Sequence, residues 1–300
     1  MRFAYHLRGD RPRQKELCNT LMKGARYVGD EIIPIINYNK PASYADGVIL
    51  LGISGLVDGI TNRQLFDDYR RAGKHVILFD KGYIRDGYYR VSINSWQPIG
   101  YLNLNKYPDD RLKATGLTVQ PYRWPKEDGY VLFDAASQKF CDWHGLGDQR
   151  AWAIAMVSKI KEHTSRNVVC RMKTSTGNMK LDRRIPGAIQ SLAPLAADLE
   201  KAAFVVSYGG NIGWDAVVAG VPHFAIGPSI ARSVSQTYWN ALEVPVIPTE
   251  PDRRRWLSSV CYHQWTLEEL AEGYGWPAIR MQLEGIERGQ SNGTRRQVSF

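Results

Sequence analysis

The sequence predicts an α/β fold made of two Rossmann-like domains that face each other across a cleft. Short apolar segments alternate with helical segments over residues 2–80, and the same alternation begins again at residue 130. A polar, tyrosine-rich stretch with several prolines separates the two series. With 300 residues and 44% hydrophobic content, the chain is long enough to bury two cores.

The first half shows the rhythm of a parallel sheet. Strands are predicted at 2–7, 31–36, 47–53 and 75–80, and helices at 14–27 and 61–73. Thr61 suits the start of the second helix, because its hydroxyl can accept a hydrogen bond from a first-turn N–H. Gly73 suits the end, where a left-handed residue stops a helix. We therefore expect an N-terminal domain over residues 1–125.

The second half repeats this plan. Strands are predicted at 130–134, 167–173, 203–207 and 223–227, and helices at 149–163, 192–202 and 211–219. Asp148 is a candidate cap for the first of these helices. This gives a second domain over residues 126–250. Residues 251–300 are expected to form two helices, one near Trp256 and one from Trp265, followed by a polar tail that frays after Glu287.

The segment 204–222 is the most informative part of the chain. An apolar strand stops at Ser207, Gly209 and Gly210 free the backbone, and a helix starts near Asn211. The N–H groups of Asn211 and Ile212 would then form a seat for phosphate at the positive end of the helix dipole. Glycine turns of this kind also occur without any ligand, so the pattern alone leaves both interpretations open.

The order Ser-x-Gly-Gly-x-x-Gly-x-Asp-Ala-x-x-x-Gly-x-Pro over residues 207–222 resembles the donor-nucleotide segment of the GT-B glycosyltransferases. The resemblance extends over residues 128–245, and the rest of the chain shares only the general plan. It implies that Asp215 binds the ribose of a sugar nucleotide. It also implies that residues 1–125 bind the acceptor, that 126–250 bind the donor, and that helices within 251–300 cross back to the first domain.

A departing diphosphate needs positive charge around it. Arg171 and Lys173 leave the strand 167–173 at its carboxyl end, which we expect to lie beside the glycine turn, so both are candidates for phosphate binding together with Ser207. The alternative is an exposed strand end. The absence of a D-x-D pair in a suitable context predicts no metal and no cofactor. The resemblance implies a UDP-hexose as co-substrate.

Asp80 is the first candidate for the base that takes the acceptor's proton, because it ends an apolar strand beside Phe79 and Lys81. A turn aspartate before Gly82 is the alternative. Asp10, after the first strand, is the second candidate. Among the histidines, His6 and His223 are expected to pack within strands, and His144 is expected in a loop at the edge of the second domain.

The net charge of +9 and the pI near 9.3 indicate a polyanionic partner. The segment 81–90 mixes cations with aromatic rings, which suits phosphate contacts beside base stacking. The candidate nucleic-acid contacts are Lys81, Tyr83, Arg85 and Arg90, with Arg11 and Arg13 near the first helix. An acidic polysaccharide or an anionic membrane surface would also match the charge.

These observations predict a hexosyltransferase that uses a nucleotide diphosphate sugar. In length, charge and two-domain layout the chain is similar to bacteriophage enzymes that glucosylate hydroxymethylated pyrimidines in DNA, so DNA is the expected acceptor. The alternatives are a surface-polysaccharide glycosyltransferase, a sugar-nucleotide 2-epimerase of the same fold, and a nucleic-acid-binding protein without activity.

The four cysteines show no C-x-x-C spacing, which favours a reducing compartment over a disulfide or zinc framework. The first residues lack the apolar core of a signal peptide, and no apolar run is long enough to span a membrane. We expect a cytoplasmic monomer, in the host cytoplasm if the protein is phage-encoded.

Overall fold

The computed structural model describes residues 1–7, 11–36, 41–53, 56–57, 60–84, 87–97, 107–172, 184–245 and 247–291. The chain divides into two compact units. Unit 1 comprises Met1–Asn103 with Cys261–Phe300, and unit 2 comprises Leu104–Val260.

The first elements along the chain are β1 (Arg2–His6), α1 (Pro12–Arg26), β2 (Glu31–Ile35), β3 (Gly47–Leu51), β4 (Leu56–Val57), β5 (Ile60–Thr61), α2 (Asn62–Arg71), β6 (His75–Lys81) and β7 (Tyr89–Ile93). The next are α3 (Asp110–Ala114), β8 (Tyr130–Ala135), α4 (Gln138–His144), α5 (Gln149–Lys161), β9 (Val168–Met172), β10 (Ile189–Gln190), α6 (Leu195–Lys201), β11 (Ala202–Ser207), α7 (Ile212–Val218) and β12 (His223–Ala225). The last are α8 (Glu250–Cys261), β13 (Gln264–Trp265), α9 (Leu267–Ala271) and α10 (Gly275–Ser291). Two short 3-10 helices, Ile230–Val234 and Trp239–Ala241, precede α8.

The main sheet of unit 1 has the strand order β13-β7-β6-β3-β1-β2. The strands β2, β1, β3 and β6 are parallel, whereas β7 runs antiparallel to both β6 and β13. One face of the sheet packs on α1 and α10, with Phe3, Ile77 and Trp276 among the buried residues. The other face packs on α2.

The sheet of unit 2 has the strand order β10-β9-β8-β11-β12, and all neighbouring pairs are parallel. Its core includes Phe133, Val206 and residues of α5 such as Val157 and Ile160. At the carboxyl edge, Asp134 of β8 stands in register between Arg171 of β9 and Ser207 of β11. The predicted α/β fold is therefore confirmed, with four parallel strands in the sheet of unit 1 and an entirely parallel sheet in unit 2.

Both predicted helix caps are present. The Thr61 hydroxyl accepts from the N–H of Gln64 at 3.2 Å, and the Asp148 carboxylate accepts from the N–H of Ala151 at 2.8 Å. Gly73 follows α2 with a φ of 72°. These contacts are local, which explains why the sequence alone located them.

Other elements were not predicted. The apolar pattern of strand β7 is interrupted by the polar residues Arg90 and Ser92, although all five of its residues are buried. The helix α4 lies in a stretch that we expected to form a loop. In the C-terminal part, β13 precedes α9, and α10 continues to Ser291, beyond the point where fraying was expected.

Candidate functional site

The glycine turn after β11 folds as the sequence predicts, and the surroundings require both glycines. Gly210 has a φ of 85°, a left-handed conformation that favours glycine. A Cβ atom at Gly209 would lie 2.6 Å from Cζ of Phe140 and 2.9 Å from the carbonyl oxygen of Pro228. Close packing at Gly209 and the left-handed backbone at Gly210 therefore explain these glycines whether or not the turn binds a ligand.

Ser207, expected to contact phosphate, is fully buried beneath this turn. Its Oγ lies 2.8 Å from Nε2 of His223, and Nδ1 of His223 lies 2.7 Å from Oγ of Ser235. Ser235 donates to the carbonyl oxygen of Ala231 at 2.5 Å, so its oxygen accepts from Nδ1–H and Nε2 accepts from Ser207. Burial lowers the pKa of His223 to about 3, which keeps the ring neutral. Ser207 thus belongs to an internal hydrogen-bond chain.

Asp215 lies in the first turn of α7, as predicted, and is half-buried. The first hydrogen bond of the helix runs from its N–H to the carbonyl of Asn211 at 3.1 Å. The N–H groups of Ile212 and Gly213 therefore precede the helical ladder. Gly213 lets the helix approach its neighbours, since a Cβ there would lie 2.8 Å from Oγ of Ser229. The start of α7 therefore packs closely against Ser229.

Arg171 is not beside the glycine turn, which corrects the sequence-based expectation. β8 pairs with both β9 and β11 and so lies between them. The guanidinium of Arg171 forms an ion pair with Asp198, and its Nη1 donates to the carbonyl oxygen of Ala193 at 2.7 Å. Asp198 also accepts from the hydroxyl of Tyr130 at 3.1 Å. Arg171 therefore anchors the segment before α6. Lys173 lies outside the described residues.

A cluster of aromatic rings lies at the carboxyl edge of the unit 2 sheet. Tyr208 is the residue before the glycine turn. Its ring centroid lies 5.4 Å from that of His144, 5.7 Å from that of Trp152 and 5.8 Å from that of Phe140. Phe140 is buried and the other three are half-buried. His144 is the last residue of α4 and not part of a loop, because Gly145 ends that helix with a φ of 67°. The sequence did contain one indication of this helix: Phe140 and Trp143, which are both buried, are three residues apart, as expected for one face of a helix.

Asp80 is the last residue but one of β6, at the carboxyl edge of the unit 1 sheet, where it pairs with Arg90. Oδ2 of Asp80 lies 3.0 Å from Nη2 of Arg90, with 29% of the Asp80 side chain and 3% of the Arg90 side chain exposed. Tyr83 is buried beside them, and its hydroxyl accepts from Nη1 of Arg90 at 3.1 Å. Tyr83 and Arg90 therefore face the protein interior, and the expected base-stacking surface loses both of them.

Other predicted contacts on unit 1 are exposed. Arg11 is the residue before α1, Arg13 lies in its first turn, and Lys81 ends β6, so all three lie at the carboxyl edge of the sheet. Nε of Arg13 donates to the hydroxyl of Tyr89 at 2.9 Å, and its guanidinium lies 4.9 Å above that ring. Asp10 and Arg85 lie outside the described residues.

Several arginines that contribute to the net charge donate hydrogen bonds to backbone carbonyls within unit 2. Arg253 is 1% exposed, lies 4.6 Å from the ring of Tyr122, and donates to the carbonyl of Val217 at 2.6 Å. Nη1 of Arg166 donates to the carbonyls of Lys126, Glu127 and Gly129 at 2.8, 2.8 and 2.9 Å. The charge of +9 therefore overstates the positive surface that a partner would meet.

His6 packs inside unit 1, as expected. It is 4% exposed, and its Nε2 lies 3.1 Å from the hydroxyl of Tyr69. Burial lowers the pKa of His6 to about 4. Within the part of the chain that the structure describes, no group of three or more metal-ligating side chains comes together, and no helix is long and apolar enough to cross a bilayer.

No protein-family model and no curated protein matches the chain. Among solved structures it is similar to two proteins of Thermosulfurimonas dismutans, KpsC beta Kdo 2,4 transferase and KpsC beta Kdo 2,7 transferase. The first is 11% identical with a TM-score of 0.48 and covers 88% of this chain and 92% of that one. The second is 9% identical with a TM-score of 0.49 and covers 92% and 99%. The calicheamicin glycosyltransferase CalG4 is 10% identical with a TM-score of 0.29 and covers 99% and 98%.

Proposed function

We propose that this protein is a glycosyltransferase that moves a hexose from a nucleotide diphosphate sugar to a hydroxyl acceptor. The observation that carries the proposal is the segment from Tyr208 to Asp215. An aromatic residue within a cluster of rings and a half-buried carboxylate lie on the two sides of the glycine turn. The segment lies at the carboxyl edge of a parallel sheet, which is where ligands of such sheets bind.

Each part of this segment suits a different part of the donor. The half-buried rings of Tyr208, His144 and Trp152 offer apolar faces to a nucleotide base. The carboxylate of Asp215 can accept hydrogen bonds from ribose hydroxyls. Gly210 allows a diphosphate to approach the backbone closely, because nothing lies within 4 Å of the position that a side chain would take, and Gly209 contributes its backbone alone. Arg171 is not included, since it is committed to Asp198. Lys173 is retained as a candidate phosphate contact.

The transfer reaction forms a bond between the acceptor oxygen and the anomeric carbon of the hexose. The bond from that carbon to the diphosphate oxygen breaks, and the nucleoside diphosphate leaves with the electron pair. In an inverting reaction the acceptor's proton goes to a base. We assign this role to Asp80, which is partly exposed at the end of β6. Asp10 is the second candidate.

The proposed acceptor is DNA that contains hydroxymethylated pyrimidines. What supports it is the positive charge of Arg11, Arg13 and Lys81, which are exposed at one edge of the unit 1 sheet. Phosphate groups bind such side chains regardless of sequence. A hydroxymethyl group supplies the primary hydroxyl that the transfer needs.

The test incubates the purified protein with UDP-hexoses, other nucleotide diphosphate sugars and matched duplexes that differ only in the hydroxymethyl group. Mass spectrometry of the digested nucleosides and of the nucleotide products follows. We expect a hexose on the modified nucleoside alone. Transfer to saccharides but not DNA would move the acceptor to polysaccharide. Conversion of the donor to its 2-epimer, or no reaction and no donor binding, would refute the transferase.

A separate measurement tests the DNA contacts. Because binding releases counterions, the affinity for duplex DNA should fall steeply between about 50 and about 200 mM salt. Replacing Arg11, Arg13 and Lys81 with glutamine should reduce the slope of log K against log salt by about 3. The matched control replaces Arg2, Lys23 and Arg26, which lie at the opposite edge of the same sheet and should leave the slope unchanged. Equal slopes in both variants would remove the assignment.

A further inference from the structure

The carboxylate of Asp80 is held on both oxygens by groups of its own unit. Oδ1 accepts from the N–H of Lys81 at 2.8 Å, and Oδ2 accepts from Nη2 of Arg90 at 3.0 Å. Asp80 of β6 and Arg90 of β7 are paired directly opposite each other in the sheet. A carboxylate offers about four acceptor positions, so each oxygen keeps a lone pair for another donor. The side chain is thus fixed without being saturated.

Arg90 is fixed in turn by two aromatic rings. Its guanidinium carbon lies 4.7 Å from the ring centre of Trp96 and 5.2 Å from that of Tyr83. The phenol of Tyr83 accepts from Nη1. With 2% of the residue exposed, Arg90 is a buried charge, and such a charge is stable only when it is paired. In this pocket the partner with full negative charge is Asp80.

Tyr83 and Ile84, which follow β6, are anchored by Gln264 of β13. Its Oε1 accepts from the N–H groups of Tyr83 and Ile84 at 2.6 and 2.9 Å. Gln264 also pairs with Arg90 in the sheet. The contacts around Arg90 therefore involve three neighbouring strands, β6, β7 and β13. These contacts restrict the position of the Arg90 guanidinium that binds Asp80.

From this geometry we infer that Arg90 is a positioning residue that holds the carboxylate of Asp80 in one orientation, with a lone pair directed outward to accept a proton from a hydroxyl. The inference rests on the proposed function, because it supplies the means by which Asp80 would serve as the base. A base displaced by about 1 Å loses about 100-fold in rate, so the ion pair has a catalytic consequence although Arg90 is buried away from any substrate.

The test compares Arg90→Gln, Arg90→Lys, Asp80→Asn and the double variant Arg90→Gln with Asp80→Asn. We expect Arg90→Gln to lower kcat about 100-fold with the KM for donor unchanged. Arg90→Lys, which keeps the charge, should recover part of the loss. In the Asp80→Asn background, Arg90→Gln should cause no further loss, because it acts through Asp80. The same loss in both backgrounds would overturn the inference.

Arg166→Gln is the matched control for general destabilisation. Arg166 also lies over an aromatic ring, 5.5 Å from Phe204, and donates to backbone carbonyls of unit 2. We expect it to lower the melting temperature and to leave kcat unchanged when assayed well below that temperature. A fall in kcat like that of Arg90→Gln would show that lost stability alone explains the effect.

A structural measurement decides the inference without any activity. Crystal structures of the wild type and of Arg90→Gln should show Asp80 in one rotamer in the first and in another or in several in the second. Arg90→Lys serves if Arg90→Gln does not fold. An unchanged Asp80 rotamer in the variant would overturn the inference. A wild type that transfers no sugar but shows this difference would refute the proposed function and leave the positioning contact intact.

Discussion

Ser207 and His223 form a buried hydrogen bond of 2.8 Å that joins the end of β11 to the start of β12. The contact resembles a serine activated by a histidine, yet Ser207 has no exposed surface. His223 donates from its other nitrogen to Ser235, so a neutral ring satisfies every member of the chain. A protonated ring would leave Ser207 without its acceptor. This explains why the contact stabilises the turn that follows instead of acting on a substrate.

The first prediction concerns the stability of the protein in acid. The folded pKa of His223 is lowered to about 3, whereas an unfolded histidine has a pKa near 6.5. As the pH falls from about 6.5 towards about 3, the unfolded state binds the proton first, so the free energy of unfolding should decrease by up to ~1.4 kcal/mol per pH unit. His223→Gln should weaken this dependence, as measured by urea unfolding at several pH values. His6 is unchanged in both proteins, and identical pH slopes would contradict the prediction.

The second prediction compares two helical glycines. In Gly213→Ala the new Cβ would lie 2.8 Å from Oγ of Ser229 and 3.1 Å from Cε1 of His223. We expect this change to lower the free energy of unfolding by about 1 to 3 kcal/mol. Gly285, in α10, has nothing within 4 Å of such a Cβ, so Gly285→Ala should stabilise by up to about 1 kcal/mol. Thermal and urea unfolding measure both, and equal effects would mean that α7 packs differently.

The third prediction concerns two adjacent arginines of α8. Arg253 is buried and donates to the carbonyls of Val217 and Val218 at the end of α7, at 2.6 and 3.3 Å. Arg253→Gln leaves these groups without a charged donor and should destabilise by about 2 to 4 kcal/mol. Arg254 pairs with Asp109 at the exposed surface, where ion pairs contribute little, so Arg254→Gln should change stability only slightly. Urea unfolding distinguishes the two, and similar losses would refute the capping role.

The fourth prediction tests Asp215 as a donor contact. Asp215→Ala removes the acceptor proposed for the ribose and should weaken binding of the nucleotide diphosphate sugar about 10- to 100-fold, as measured by calorimetry. DNA binding should not change. Glu200→Gln is the control, because Glu200 is an exposed carboxylate of α6 in the same unit. Equal donor affinity in the wild type and Asp215→Ala would remove the central assignment of the site.

Local patterns predicted much of the fold. The alternation of apolar segments located the parallel strands β1, β2, β3 and β6 of unit 1 and β8, β9, β11 and β12 of unit 2. Thr61 and Asp148 were recognised as caps from their immediate neighbours. The candidate turn was predicted with its glycines and with Asp215 in the first helical turn. Each of these features depends on residues close together in the chain.

Side-chain environments were harder to predict. Arg90 and Tyr83 have the composition of a binding surface, but the antiparallel pairing of β6 with β7 turns them into the core. The aromatic cluster around Tyr208 combines residues from α4, α5 and the turn after β11, and no spacing in the sequence links them. Burial of a cation depends on partners that arrive from distant segments.

The sequence by itself determined the alternation of strands and helices and the form of the glycine turn, because backbone propensity and capping act over a few residues. Only the tertiary structure decided the strand order, in which β8 separates Arg171 from the turn and gives that arginine to Asp198. Strand order depends on how whole elements bury their faces against one another, and that is a sum of contacts between residues far apart in the chain.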